Sequence, residues 1–274
     1  MARLLTAAVG VPLSLAAIFL LPGWAFFLLV LALLGWGAVE YVLILEIESP
    51  RAPLWLLWVL LPPTAWAFFL ILRPEATFRA EGVLLALGLG LTFGVGSLLV
   101  VASTPPDEGL AALGALSFGV PYFALPAAAI AVLQSLDPWW VILLVTIVWL
   151  GDTAAYYVGR NLGRRRMAPV ISPNKTWEGA GAGLLTAGLA TVVWCLLRLE
   201  TVDPVVLAVG LGTGVAAQLG DLTESLLKRG ARVKDSGRIL PGHGGMLDRM
   251  DALLFAAPVL LAGLWAAGIA GVEL

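Results

Sequence analysis

Apolar runs of about eighteen or more residues follow one another along this chain. Each is close to the ~20 residues that a helix needs to cross the hydrocarbon core of a bilayer. A segment in lipid must satisfy its backbone hydrogen bonds internally, so runs of this length and spacing dictate helices rather than sheets. The expected fold class is all-α, a polytopic helical membrane protein. Only 12% of the residues are charged, about half of the ~25% usual for a soluble domain.

Nine spans are expected, at about 4–21, 24–46, 54–72, 83–102, 110–134, 139–159, 177–197, 204–226 and 251–271. Arg3 ahead of the first apolar run resembles the start of a secretory signal, but no small-residue cleavage site follows, so the run is read as a span. Pro22-Gly23 predicts a tight helical hairpin. Pro121 and Pro126 predict that the fifth span is kinked or partly re-entrant. Cys195 is the sole cysteine, which excludes a disulfide framework or a thiolate metal site.

Orientation depends on where the cations fall, not on the net charge of -2. With the N-terminus inside, every one of the 16 Lys and Arg except Arg73, Arg79 and Arg198 lies in a cytoplasmic segment. The expectation is therefore N-in and C-out, with the polar loops 160–176 and 227–250 on the same cytoplasmic side. A compact chain without a transit-like arm is expected in a bacterial plasma (inner) membrane. No repeat, low-complexity tract or linker divides the chain. All the Lys and Arg other than Arg3, Arg51, Arg73 and Arg79 lie beyond residue 150. Residues 1–138 are accordingly read as scaffold spans and 139–274 as the region that carries chemistry.

Within that region, residues 220–251 concentrate Asp221, Glu224, Asp235, Asp248 and Asp251 with Lys228, Arg229, Arg232, Lys234, Arg238, Arg249 and the sole histidine, His243. A cation-rich loop between spans can serve topology alone. Topology does not call for carboxylates, a histidine and paired glycines, however, and charge beside a bilayer is costly enough to mark a functional site. Asp221, Glu224, Ser225 and Lys228 share one helical stripe at about 100° per residue, and Asp248 and Asp251 repeat the pattern at the start of the last span. Hard oxygen donors from two helices suit Mg²⁺, or Mn²⁺ in its place, with water and phosphate oxygens completing the shell. The surrounding cations and Gly244-Gly245 suit phosphate.

Two shorter stretches add to this. Asp152 sits inside a span, where it is either a structural carboxylate bonded to a neighbouring helix or part of a wet site. In the run from Ser172 to Gly179, Thr176 can cap a helix and Glu178 suits its first turn. Lys175 is not explained by capping and suits a phosphate oxygen. No Walker A loop is present. His243 is read as a phosphate donor or proton shuttle rather than a zinc ligand. Glu40 and Tyr41 either line the site or sit at an interface, and the interface is the reading adopted.

The run Ser225-Leu226-Leu227-Lys228-Arg229, then Lys234-Asp235, then Pro241-Gly242-His243-Gly244-Gly245-Met246-Leu247-Asp248-Arg249-Met250-Asp251 resembles the signature of the phosphatidate cytidylyltransferase (CDP-diacylglycerol synthase) family. The blocks at Gly151-Asp152, Ser172-Pro173-Asn174-Lys175-Thr176 and Gly220-Asp221 resemble that family too. The resemblance implies condensation of CTP with phosphatidic acid to CDP-diacylglycerol and pyrophosphate within a lipid bilayer, with divalent cations. It also implies a monovalent ion such as K⁺ beside the Mg²⁺, and members that can dimerise. Asp221 and Asp248 match the implied metal ligands, with Asp251 close by. Lys228, Lys234 and His243 join these three in the expected catalytic set. Asp152, Ser172, Lys175, Glu224, Ser225, Arg229, Asp235, Gly244, Gly245 and Arg249 form the expected substrate-binding set. No nucleic-acid partner is expected. The rival readings are an ion-coupled transporter using intramembrane Asp152, Asp221 and Asp251, and a CDP-alcohol phosphotransferase, whose spaced aspartate motif is missing.

Overall fold

The computed structural model describes residues 2–48, 52–73, 90, 94, 96–237 and 245–269, with side chains of the first stretch described from residue 10 to residue 46. The described chain runs α1 (Ala2–Leu20), α2 (Gly23–Glu48), α3 (Leu56–Ile71), α4 (Gly96–Ser103), α5 (Pro106–Leu136), α6 (Pro138–Leu162), β1 (Arg166–Ala168), β2 (Ser172–Thr176), α7 (Trp177–Arg198), α8 (Pro204–Gly230) and α9 (Leu247–Ala266). Among these, α2 and α5 to α9 are long and apolar enough to cross a membrane, whereas α3 and the apolar part of α1, Gly10–Leu20, are shorter. The chain is thus an integral membrane protein of the helical kind. Most of the expected fourth span, 83–102, lies outside the described residues, and α4 is the part of it that is seen.

Local sequence punctuates the ends of these helices. The α1–α2 hairpin turns at Leu21 and Pro22, and Pro138 and Pro204 occupy the first turns of α6 and α8. There a missing N–H costs nothing. Asp137 accepts from Trp139 N, and Asp203 from Val205 N and Val206 N, so each aspartate caps the helix it precedes.

Of the two courses expected for the fifth span, a kink or a partly re-entrant path, the structure corrects the second. Helix α5 runs unbroken for 31 residues through Pro121 and Pro126, so no re-entrant turn forms. It is the most buried of the long helices and packs against α2, α3, α4, α6 and α9. Neighbouring helices on so many sides hold its geometry despite the hydrogen bonds that the prolines remove. The 160–176 loop also departs from a plain polar connection: β1 and β2 form an antiparallel hairpin pairing Arg166 with Thr176 and Ala168 with Ser172.

Small residues set the spacing of α6 to α9. Gly151, Ala155 and Gly159 on α6 recur every fourth residue, as do Gly179 and Gly183 on α7, and the two stripes face each other. A Cβ on Gly183 would lie 3.1 Å from the Gly151 carbonyl oxygen, and one on Gly179 would lie 2.6 Å from that of Ala155. Close approach of this kind supplies the dispersion contact that replaces hydrophobic drive between helices in lipid. Helix α8 crosses α9 in the same way at Gly220, where a Cβ would fall 2.5 Å from the Asp251 carbonyl oxygen and 3.2 Å from Ala252 Cα.

A methyl group at Gly220 meets backbone, which cannot swing aside. Gly220→Ala is expected to destabilise the protein by about 1–3 kcal/mol, the usual cost of overpacking. The thermal unfolding midpoint in detergent checks it, with Gly230→Ala, where nothing lies within 4 Å of the added Cβ, as the control that stays near wild type.

Candidate active site

The polar residues gather at one end of the bundle, because α6 and α8 end there while α7 and α9 begin there. The opposite end carries a smaller polar cluster, in which Arg198 pairs with Asp137 at 3.0 Å and lies over the Trp139 ring.

The hairpin closes onto the first end through local bonds. Thr176 Oγ1 accepts from Gly179 N at 3.1 Å and caps α7 as expected. Glu178 Oε2 accepts from Arg164 N and Arg165 N, fastening the chain where it leaves α6. Arg229, exposed near the end of α8, donates from Nε to the Ile171 carbonyl and from Nη1 to that of Val233, which ties the hairpin to α8. This layout places Lys175 Nζ 2.7 Å from Asp221 Oδ2.

Between the helices lies a cavity of about 670 Å³, lined among others by Asp152, Tyr156, Arg160, Arg166, Asn174, Lys175, Gln218, Asp221, Asp248 and Asp251. Carboxylates from α6, α8 and α9 therefore share one chamber with cations from α6, β1 and β2. Asp221, Glu224 and Asp251 each present an oxygen within 4.8 Å of the other two. Behind them, Lys228 Nζ bridges Glu224 Oε2 and Asp248 Oδ1, both at 2.6 Å. Glu224 is only 1% exposed, so its charge needs this partner. Its other oxygen, Oε1, is buried with no hydrogen-bond partner among the described residues.

Asp248 is held on its second oxygen as well: Oδ2 accepts from Gly245 N at 2.9 Å and from Ser236 N at 3.2 Å. The reach back to Gly245 satisfies a donor ahead of α9, much as a capping-box carboxylate does. Of the other residues singled out in sequence, Ser172 opens β2 opposite Ala168, and Ser225 is half-buried on α8. Lys234 and Asp235 are exposed beyond α8, and Arg249 is exposed in the first turn of α9. His243 and Gly244 lie outside the described residues.

A model of the cytidylyltransferase family matches residues 1–266. This chain belongs to that family. The protein called phosphatidate cytidylyltransferase in Pseudomonas aeruginosa is 34% identical over 278 residues, covering 97% of both chains. Its namesake in Bacillus subtilis is 37% identical over 209 residues, or 75% of this chain and 74% of that one. A Staphylococcus epidermidis namesake reaches 50% identity over 115 residues, 42% of this chain and 44% of its own.

Several residues of the site escaped sequence reasoning. Arg160 and Arg166 entered only as topology-setting cations, and Tyr156 and Gln218 not at all. Glu40 was placed at an interface, and the structure corrects this. Its side chain on α2 is fully buried and accepts from Ser236 Oγ at 2.7 Å and from Met246 N and Leu247 N, each at 2.9 Å. The interior holds Tyr41 too, with 1% exposure and its hydroxyl donating to the Ala115 carbonyl. A usable signal existed for Glu40: a carboxylate well inside an apolar span is as costly as Asp152 is.

The Lys228 bridge gives a direct test. Lys228→Met keeps an unbranched apolar stem but removes the ammonium, leaving Glu224 and Asp248 facing each other uncompensated. Removing one partner from a buried ion pair typically costs about 3–5 kcal/mol. A large fall in the thermal midpoint in detergent is expected, and Lys234→Met, at an exposed position, is expected to change it little.

Proposed function

We propose that this chain condenses CTP with phosphatidate, giving CDP-diacylglycerol and pyrophosphate. The observation that carries this reading is the single chamber in which Asp221 and Asp251, with Glu224 at their side, face Lys175, Arg160 and Arg166, in a chain whose relatives are named phosphatidate cytidylyltransferase. No arrangement among the described residues favours a transporter.

The donor set fits a hard divalent cation. Three carboxylate oxygens lie within 4.8 Å of one another, and a buried Glu224 oxygen lacks a partner that an ion there would supply. Asp221, Glu224 and Asp251 are assigned to Mg²⁺. Asp248 can join them, because Oδ1 accepts one bond from Lys228 and keeps lone-pair capacity. When bound, Mg²⁺ neutralises charge on the phosphate oxygens at the reacting phosphorus. Mn²⁺ meets the same donor requirement, and a neighbouring monovalent ion such as K⁺ remains part of the proposal.

A phosphate oxygen of phosphatidate attacks the α-phosphorus of CTP in line. The new P–O bond forms as the bond from the α-phosphorus to the bridging oxygen of the leaving pyrophosphate breaks. The lipid phosphate is already ionised, so no protein nucleophile and no general base are needed. The protein's part is positioning and charge: Lys175, Arg160 and Arg166 line the chamber and hold phosphate oxygens, while Lys228 keeps Glu224 and Asp248 apart and in register. Lys234, Arg229, Arg249 and His243 are assigned to phosphate oxygens, and Asn174 and Gln218 add neutral donors to the wall.

The wider assignment is nine crossings with N-in and C-out topology, supported by the distribution of Lys and Arg. It puts the chamber on the cytoplasmic side of a bacterial plasma membrane. Reporter fusions after residues 73 and 176 are expected to report opposite sides. Assembly as a homodimer is part of the proposal and is read by crosslinking in the membrane.

The deciding assay incubates purified protein with labelled CTP, phosphatidate vesicles and Mg²⁺. Lipid-linked cytidine and free pyrophosphate are expected in equal amounts, abolished by EDTA and restored by Mg²⁺. Asp221→Asn and Asp251→Asn are each expected to lower turnover by at least about a hundredfold while eluting like wild type on gel filtration. Wild-type turnover in both would remove the metal assignment.

A further inference from the structure

Helix α9 carries Asp248 and Asp251, yet its own cap residue, Met246, supplies no side-chain hydrogen bond. The orphan N–H groups at its start are met from another part of the chain. Glu40 on α2, some two hundred residues earlier in sequence, accepts from Met246 N through Oε1 and from Leu247 N through Oε2. The same Oε2 takes the Ser236 hydroxyl from the far side of the 230–247 connection. Ser236 N, in turn, donates to Asp248. Glu40, Ser236 and Asp248 thus form one hydrogen-bonded chain from α2 to the site.

The glycines on either side support a purpose-built cradle. A Cβ on Gly237 would lie 2.6 Å from Glu40 Oε1, and one on Gly245 would run into Ser236 Oγ and the Glu40 carboxylate. Both ends of the connection therefore close on this carboxylate with no room for a side chain. Among the described residues, its three partners all donate. An acceptor-only group is required, and a carboxylate with about four lone-pair sites meets the need.

We propose that Glu40 is a positioning residue for the acidic site: by capping α9 from outside and tying Ser236 to it, Glu40 sets where Asp248 and Asp251 stand relative to Asp221 and Glu224. Glu40 does not line the chamber. Its effect passes through the placement of the ligating carboxylates. This rests on the assignment of those carboxylates to a divalent cation.

Glu40→Gln is the sharp variant, because the shape is kept. In either orientation its amide group points a donor at Met246 N or Leu247 N, so one N–H of α9 loses its acceptor. Ser236→Ala removes a single contact of the same chain and leaves Glu40 capping α9. Wild type and both variants are purified in detergent. Mn²⁺ binding without substrates is read by electron paramagnetic resonance, and half-saturating Mg²⁺ and the KM for phosphatidate by turnover.

Outer partners of metal ligands typically contribute about 10–100-fold in metal affinity or activity. Glu40→Gln is expected to weaken Mn²⁺ binding and raise half-saturating Mg²⁺ within that range, with the KM for phosphatidate unchanged. Ser236→Ala is expected to move both in the same direction by less. A variant that only lowers the yield of folded protein, with wild-type Mn²⁺ affinity in the folded fraction, overturns the proposal, as does absence of Mn²⁺ binding in wild type. If Glu40→Gln yields no folded protein, Ser236→Ala decides, and unchanged Mn²⁺ affinity there overturns it. Failure of wild type to form lipid-linked cytidine removes the cytidylyltransferase reading instead, and a shifted Mn²⁺ affinity in Glu40→Gln still stands in that event.

Discussion

Lys228 bridges Glu224 and Asp248, and this ion triad is the interaction on which the arrangement of α8 and α9 depends. An apolar bundle can hold carboxylates from two helices side by side only if something compensates them. One ammonium, 13% exposed and within 2.6 Å of both, does so. Such a triad is weak evidence of net stability, since desolvation of three charges offsets much of its attraction. Its effect is on register: sliding α9 by one turn against α8 would separate Asp248 from Lys228 and leave the Asp248 carboxylate without its cation, while Glu224 and Lys228 stay paired within α8.

Register of that kind needs helices close enough for short side chains to meet, and Gly220 provides the approach. Its Cα lies against the backbone of Asp251 and Ala252, so the two helices touch between the carboxylates of one and those of the other. The glycine stripes of α6 and α7 do the same for Asp152 and the β-hairpin, bringing Lys175 over Asp221. A chamber rich in charge is thus framed by the least bulky residues of the chain. Bulkier ones would widen the helix spacing and lengthen the ion pairs that run between elements, Lys228–Asp248 and Lys175–Asp221.

How much of this could be read beforehand depended on distance along the chain. The stripe of Asp221, Glu224, Ser225 and Lys228 was legible because helical period alone places it, and Thr176 was legible as a cap because capping is local. The hairpin was not: strands of three and five residues in a polar loop leave no alternation to detect. The continuity of α5 through Pro121 and Pro126 depends on packing from helices far away in sequence, which proline rules do not include. Glu40 depends on partners 196 to 207 residues distant. For that residue only the cost of a charge in an apolar span could have served as a warning, with nothing to name the partners.

The placement of the chamber suits a reaction between partners that differ in phase. Phosphatidate keeps its acyl chains in lipid and presents its phosphate at the bilayer surface, whereas CTP arrives from water. A site buried midway along the helices would force the nucleotide triphosphate into hydrocarbon, and one on a detached loop would lose the lipid. A chamber at the end of the helices, with carboxylates deep between α6, α8 and α9 and cations on the hairpin above, allows each phosphate to approach from its own side. A coupling site for a cation has no use for cations of its own. Here Asp152, Asp221 and Asp251 share their chamber with Arg160, Arg166 and Lys175, a lining that suits phosphate oxygens and serves group transfer.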